Sequence, residues 1–293
     1  MGVKERDPHT GHMTTGHEWN GIIELNTAVP KPAWYFLIAT ALFSLVYWVL
    51  MPAWPLGKTY TKGLLGADVR KNVETSLQKA ALDRARWTDR IQKESFAAIE
   101  ADEDLMKYVR ETGRTLFGDN CAVCHGTKAT GGPGFPSLVD NAWLWGGTPE
   151  AVFETIRVGI NSDHPDSRIA EMLAFGRDGM LDRQSILDVV AYVRSLSDQS
   201  NASGKDAETI ATGQEIFANN CSSCHGDDAK GNNDMGAPNL TDDFWIYGGD
   251  EESVYRTVYG GRQGRMPAWE NRLSETDRKI LTLYVLDLGR SKP

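Results

Sequence analysis

All four cysteines of the chain fall in two copies of one five-residue frame. Cys121 and Cys124 lie in "NCAVCHG", Cys221 and Cys224 in "NCSSCHG", and a histidine, His125 or His225, closes each. This feature limits the fold most, because every thiol of the chain belongs to one of two matching constellations, at 121–125 and 221–225. The frames sit inside a longer repeat. "LFGDNCAVCHG" matches "IFANNCSSCHG", "WGGTPEAVFETIRVG" matches "YGGDEESVYRTVYG", "EMLAFGRDG" loosely matches "RMPAWENRL", and "ILDVVAYVRSL" matches "KILTLYVLDLG". Four matched blocks in one order are an internal duplication. They give two copies of one domain, 108–198 and 207–291, joined by the polar stretch "SDQSNASGKDAET".

Each copy reads as a helix, a long irregular loop, short helices and a closing helix. "SILDVVAYVRSL" keeps Ile186, Val189, Val190, Val193 and Leu196 on one helical face, and no run alternates long enough to make a strand, so the predicted class is all-α. Long loops run from His125 to Gly146 and from His225 to Gly248. Loops of that size in so small a domain need something to fold around. Cys-x-x-Cys-His supplies it, as the attachment frame of c-type haem. Positions three apart on a helical turn present both sulfurs to the haem vinyl groups, and the histidine gives a nitrogen to the iron. Zinc would give no reason for a histidine after each pair. A thioredoxin-type pair expects a sheet, and a disulfide across three residues is strained. The prediction is two covalently bound haems c, one per copy.

From Ala33 to Gly57 the chain carries no charge, and Lys31 and Lys58 bracket the run. About twenty apolar residues in a helix span a bilayer, with Trp34, Tyr47, Trp48 and Trp54 near the interfaces. The run is longer than a signal-peptide core and ends at Pro52 and Pro55 without a small-residue cleavage site. The expected organisation is an N-terminal segment 1–32, a single transmembrane helix 33–55 and a charged helical linker 56–107, followed by the two haem domains. Flanking charges do not orient the helix. Haem c is attached outside the bacterial cytoplasm, which sends the residues after 57 to the periplasm, leaves 1–32 in the cytoplasm and makes the chain a single-pass protein of the inner membrane.

The sixth iron ligand separates carriers from catalysts, because a methionine sulfur fills the position and raises the potential. Met266 follows His225 at a reachable remove, in "RMPAW", whereas Met235 is too near it. In the first copy Met172 and Met180 both stand at a reachable remove from His125 and compete. The overlay of Met172-Leu173-Ala174-Phe175 on Met266-Pro267-Ala268-Trp269 favours Met172 and requires an eight-residue excess in the first copy, "SDHPDSRI". Spacing leaves open whether each sulfur serves its own copy's haem or the other's. Trp145, Tyr247 and Trp269 are candidates for haem edges or core, and Arg157 and Arg256 for haem propionates or an exposed helix face. His164 reads as a loop histidine, and His9, His12 and His17 as part of a mobile tail.

Charge is uneven: residues 101–293 hold 19 Lys and Arg against 30 Asp and Glu, a net of −11. That surface repels nucleic acid and suits a basic protein partner.

The "HEWNGI" segment, one membrane helix, its "MPAWP" exit and two cytochrome c domains together resemble the CcoP (FixP) subunit of cbb3-type cytochrome c oxidases over nearly the whole chain. The resemblance implies tandem class I-like cytochrome c domains in an electron-transfer subunit without a catalytic site of its own. It would take electrons from a donor cytochrome c and pass them, through a monohaem subunit, to the haem-copper subunit that reduces oxygen. By the same resemblance Cys121, Cys124, His125 and Met172, with Cys221, Cys224, His225 and Met266, would bind the haems. Met172-Leu173 departs from the Met-Pro of the second copy. A dihaem peroxidase, which needs an open or bis-histidine haem, and a tethered carrier for another complex are the alternatives.

Overall fold

A computed structural model describes residues 5–197 and 207–290. Most of the polar joint between the copies therefore lies outside the described residues. The chain forms two compact units, residues 1–83 and 84–293.

In the first unit, β1 (Thr14–Trp19) and β2 (Ile22–Leu25) pair antiparallel, with Trp19 opposite Ile22. The sequence reading expected a tail and no strand. Asn20 and Gly21, at φ +52° and +87°, make the tight turn that Asn-Gly favours between two strands. His17 sits on this hairpin, 3.4 Å from Glu24. Helix α1 (Lys31–Leu50) is 20 residues long, has a mean hydropathy of 1.8 and buries none of its side chains. Among the described residues it is the one helix long and apolar enough to cross a membrane. It stops short of the predicted end, because Pro52 follows and the chain turns back. The amides of Leu64 and Leu65 donate to the carbonyls of Val49 and Leu50, both at 3.0 Å, and so satisfy a helix end that otherwise lacks partners.

Helix α2 (Val69–Lys93) leads into the second unit, where α3 (Phe96–Glu100), α4 (Glu103–Asn120), α5 (Ala122–His125), α6 (Pro149–Val158), α7 (Arg183–Ser197), α8 (Ala207–Asn220), α9 (Ser222–His225), α10 (Glu251–Gly260) and α11 (Glu275–Arg290) follow. Starts are capped as the sequence dictates. Asp102 accepts from the amides of Asp104 and Leu105, Thr148 from Ala151 and Asp250 from Ser253.

Packing divides this unit differently from the repeat. Helix α4 of the first copy lies on α11 of the second, and α8 of the second on α7 of the first. The small Gly113 lets Tyr284 lie against α4, where it meets Phe117 at 5.8 Å between ring centroids. Gly213 and Phe217 repeat the arrangement on α8, the ring partner now being Tyr192 at 5.5 Å. One core therefore joins Phe117, Ala129 and Val152 to Trp269, Leu281 and Val285. The other joins Phe217, Ala229 and Val254 to Ile186, Val189 and Val193. Each lobe combines the amino-terminal half of one copy with the carboxy-terminal half of the other. A third core, with Ile91, Ile99, Leu105 and Ile280, fastens the end of α2 and α3 to the α4–α11 pair.

The exchange happens at two short crossings. Ile160 and Met266 exchange backbone hydrogen bonds, as do Met172 and Arg262. Gly159 and Gly261, at φ +72° and +69°, end α6 and α10 there, and a Cβ on either would run into the carbonyl of Met266 or Met172.

Candidate functional site

The Cys-x-x-Cys-His frames fold as single helical turns. In the first, the amides of Cys124 and His125 donate to the Cys121 carbonyl at 3.2 and 3.0 Å; in the second, those of Cys224 and His225 donate to Cys221 at 3.1 and 3.0 Å. Each turn ends at a left-handed glycine, Gly126 or Gly226. His125 Nδ1 donates to the Pro136 carbonyl and His225 Nδ1 to that of Pro238, both at 3.0 Å. That bond fixes the tautomer and leaves the Nε2 lone pair free for a metal. Burial lowers both imidazole pKa values, which the proline carbonyls partly oppose, so the rings are held neutral as an iron ligand must be. Burial, with the neighbouring Cys124 or Cys224, pushes the thiols of Cys121 and Cys221 up to about 11. A thiol that ionises so reluctantly is the opposite of an activated redox cysteine.

The sequence-predicted methionines go to opposite lobes. Met266 packs in the core that contains Cys121 and Phe117, and Met172 in the core that contains Cys221 and Phe217. Met180 is 45% exposed and Met235 47% exposed. The loops following the two histidines line one shared cavity of about 860 Å³, with Pro136 and Trp143 from the first copy and Pro238 and Trp245 from the second.

Two of the aromatic candidates, Trp145 and Tyr247, each lie beside an arginine. Trp145 Nε1 and Arg168 Nε are buried donors without an acceptor in the protein, and the guanidinium lies 4.9 Å from the indole ring. Tyr247 and Arg262 repeat the ring contact at 4.2 Å, but Arg262 Nε and Nη2 both donate to Thr257 Oγ1, so the unpartnered donors belong to the first pair. Adjacent donors lacking an acceptor suit a carboxylate such as a haem propionate. Each arginine stands one helical turn's length of sequence ahead of its copy's methionine, a spacing present in the repeat that the sequence reading overlooked. Arg157 is instead committed to Glu154, Asp166 and Glu270, and Arg256 to Glu252 at the surface. Trp269 is a core residue. Among the described residues no three His, Cys, Asp or Glu side chains gather as a metal cluster, so the cysteine pairs do not meet in a shared zinc site.

Family models match three successive stretches of the chain. Residues 11–58 match the N-terminal domain of cytochrome oxidase-cbb3, FixP; residues 110–197 match cytochrome c; and residues 208–285 match cytochrome c oxidase, cbb3-type, subunit III. The chain is 46% identical over 290 residues to the cbb3-type cytochrome c oxidase subunit FixP of Bradyrhizobium sp. (strain ORS 278), covering 98% of each. The chain belongs to the FixP/CcoP family of cbb3-type cytochrome c oxidase subunits. Two further FixP/CcoP relatives, both named cbb3-type cytochrome c oxidase subunit CcoP, also span its length. That of Azospirillum sp. (strain B510) is 42% identical with all of both chains covered, and that of Cereibacter sphaeroides is 41% identical with 99% of each covered. As a FixP/CcoP protein with two cytochrome c domains, the chain is an electron-transfer subunit of an oxidoreductase complex, and its apolar helix fits membrane anchoring.

Proposed function

We propose that the chain relays electrons from a donor cytochrome c towards the oxygen-reducing haem-copper subunit of a cbb3-type oxidase, by way of that enzyme's monohaem subunit, through two covalently attached haems c. Haem supplies the one-electron chemistry; the chain binds, orients and tunes it. Cys121 and Cys124 anchor one group and Cys221 and Cys224 the other. The crossed packing carries the ligand assignment: His125 is paired with Met266, and His225 with Met172. It rests on the burial of each methionine beside the other copy's attachment frame. Trp145 with Arg168 receives a propionate. The haem domains face the periplasm of the bacterial inner membrane, where the haems are attached, and the helix α1 holds them there.

The test is gentle detergent extraction followed by haem quantification. The expected result is two haems per chain that survive denaturation, in one complex with a haem-copper subunit. A single haem per chain, or peroxide turnover by the isolated chain, would overturn the reading.

A further inference from the structure

We infer that the eight extra residues of the first copy are a strap that positions the Met266 loop, leaving the Met172 loop the more easily displaced of the two. The inference rests on the proposed iron ligation. The strap closes on itself: Asn161 N donates to the Arg168 carbonyl at 2.8 Å, Ser162 N to Ser167 Oγ at 2.8 Å and Ser162 Oγ to the Val158 carbonyl at 2.6 Å. Asn161, immediately before the strap, and two side chains of the strap, Asp163 and His164, then reach across to the second copy, on both sides of Met266. Asn161 Nδ2 donates to the Gly264 carbonyl at 2.7 Å, Arg265 Nη2 donates to Asp163 Oδ2 at 2.6 Å, and His164 Nε2 meets Glu270 Oε2 at 2.7 Å.

The central rung is the His164–Glu270 pair. Only 6% of the His164 side chain is exposed, and its Nδ1 accepts the Asp166 amide at 3.0 Å. An accepting Nδ1 places the proton on Nε2, which therefore donates to Glu270. The second carboxylate oxygen of Glu270 takes Arg157 Nη1 at 3.0 Å, and Arg157 grips Glu154 through Nε and Nη2, each at 2.8 Å. A rigid helix, α6, thus holds the residue four places beyond Met266.

Among the described residues the other crossing has no counterpart. Among the described residues, the hydrogen bonds between 170–177 and 259–262 all run from backbone to backbone. Leu173 stands where the strapped loop has Pro267, and it is exposed. The second copy reaches its methionine by the short segment "GRQGR", with no side chains to spare for a strap.

The experiment titrates the ferric full-length chain with imidazole and follows the weak sulfur-to-iron absorption band. In the wild type, half of the band is expected to go at low imidazole and half to need about tenfold more. His164→Ala should bring the second half down by about tenfold, the loss expected for one charge-assisted hydrogen bond, and leave the first half where it was. His164→Gln, whose amide can donate to Glu270, should restore the gap. A second half unmoved in His164→Ala, or two halves shifted together, overturns the strap. Met266→His separates this from failure of the ligand reading: it must remove the resistant half alone. Retention of the whole band in that variant refutes Met266 as a ligand, and the strap's purpose with it.

Discussion

Ile160 of the first copy and Met266 of the second exchange both of their backbone hydrogen bonds, each at 2.9 Å. The first copy thereby carries the candidate axial methionine of the second, and Arg262 carries Met172 in return at 2.8 and 3.0 Å. The two copies of the repeat are coupled through the loops that carry the two candidate ligands.

Crossed pairing predicts which variant alters which haem. In a chain carrying Cys221→Ser and Cys224→Ser, only the frame at Cys121 retains a covalent haem. Met266→His should lower its reduction potential, because a second imidazole favours ferric iron more than a thioether does. Met172→His should leave it unchanged. Redox titration decides, and the reverse result would mean that each copy ligates its own haem.

Gly159 sits at φ +72° with the Met266 carbonyl where a Cβ would be. Gly159→Ala should therefore destabilise the chain by about 1–3 kcal/mol, read as a fall in the urea midpoint of haem absorbance. Gly118, in the exposed part of α4 with open space around it, is the control. Gly118→Ala should stabilise by about 0.5–1 kcal/mol, through helix propensity.

His164 and then Arg157 hold the Glu270 carboxyl below its ordinary range. A carboxylate whose folded-state pKa is depressed stabilises the fold above its unfolded pKa, about 4.3, and loses that contribution as pH falls through the folded value. Wild type and Glu270→Gln should differ in urea midpoint at pH 7, with the difference shrinking as pH falls from about 4.3 through the depressed folded value. A difference that persists at low pH would show that the glutamine disturbs packing and not charge.

The net of −11 over residues 101–293 predicts electrostatic steering of a basic donor. Oxidation of a basic cytochrome c by the intact complex should slow as ionic strength passes 0.1 M, where the screening length is roughly 10 Å. A rate indifferent to salt would remove any recognition role for that charge. Both copies share the acidic excess, 9 Lys and Arg against 15 Asp and Glu in 101–204 and 10 against 15 in 205–293, so neither is favoured as the first acceptor.

Sequence alone determined what is local. The Cys-x-x-Cys-His frames, the uncharged run from Ala33 to Gly57, and the helical face of α7 are written within a few residues of each other, and pattern reading found them. The overlay of Met172 on Met266 also came from sequence, because duplicated blocks keep their order whatever they pack against. The hairpin at Thr14–Leu25 escaped, since its strands are too short for alternation to declare them and only the Asn-Gly turn marks them. Tertiary structure alone decided which half of each copy joins which. Phe117 meets Tyr284 and not Tyr192, yet the two tyrosines occupy the same place in the repeat, so the apolar pattern fits either partner equally. The choice falls to the crossings at Gly159 and Gly261, where backbone pairing routes each methionine loop into the other lobe. It also explains why Trp145 and Arg168, with the whole of α6 between them in sequence, lie together and why His164 is buried against Glu270. Contacts of that kind depend on the path of the chain through space, and residue type carries no record of it.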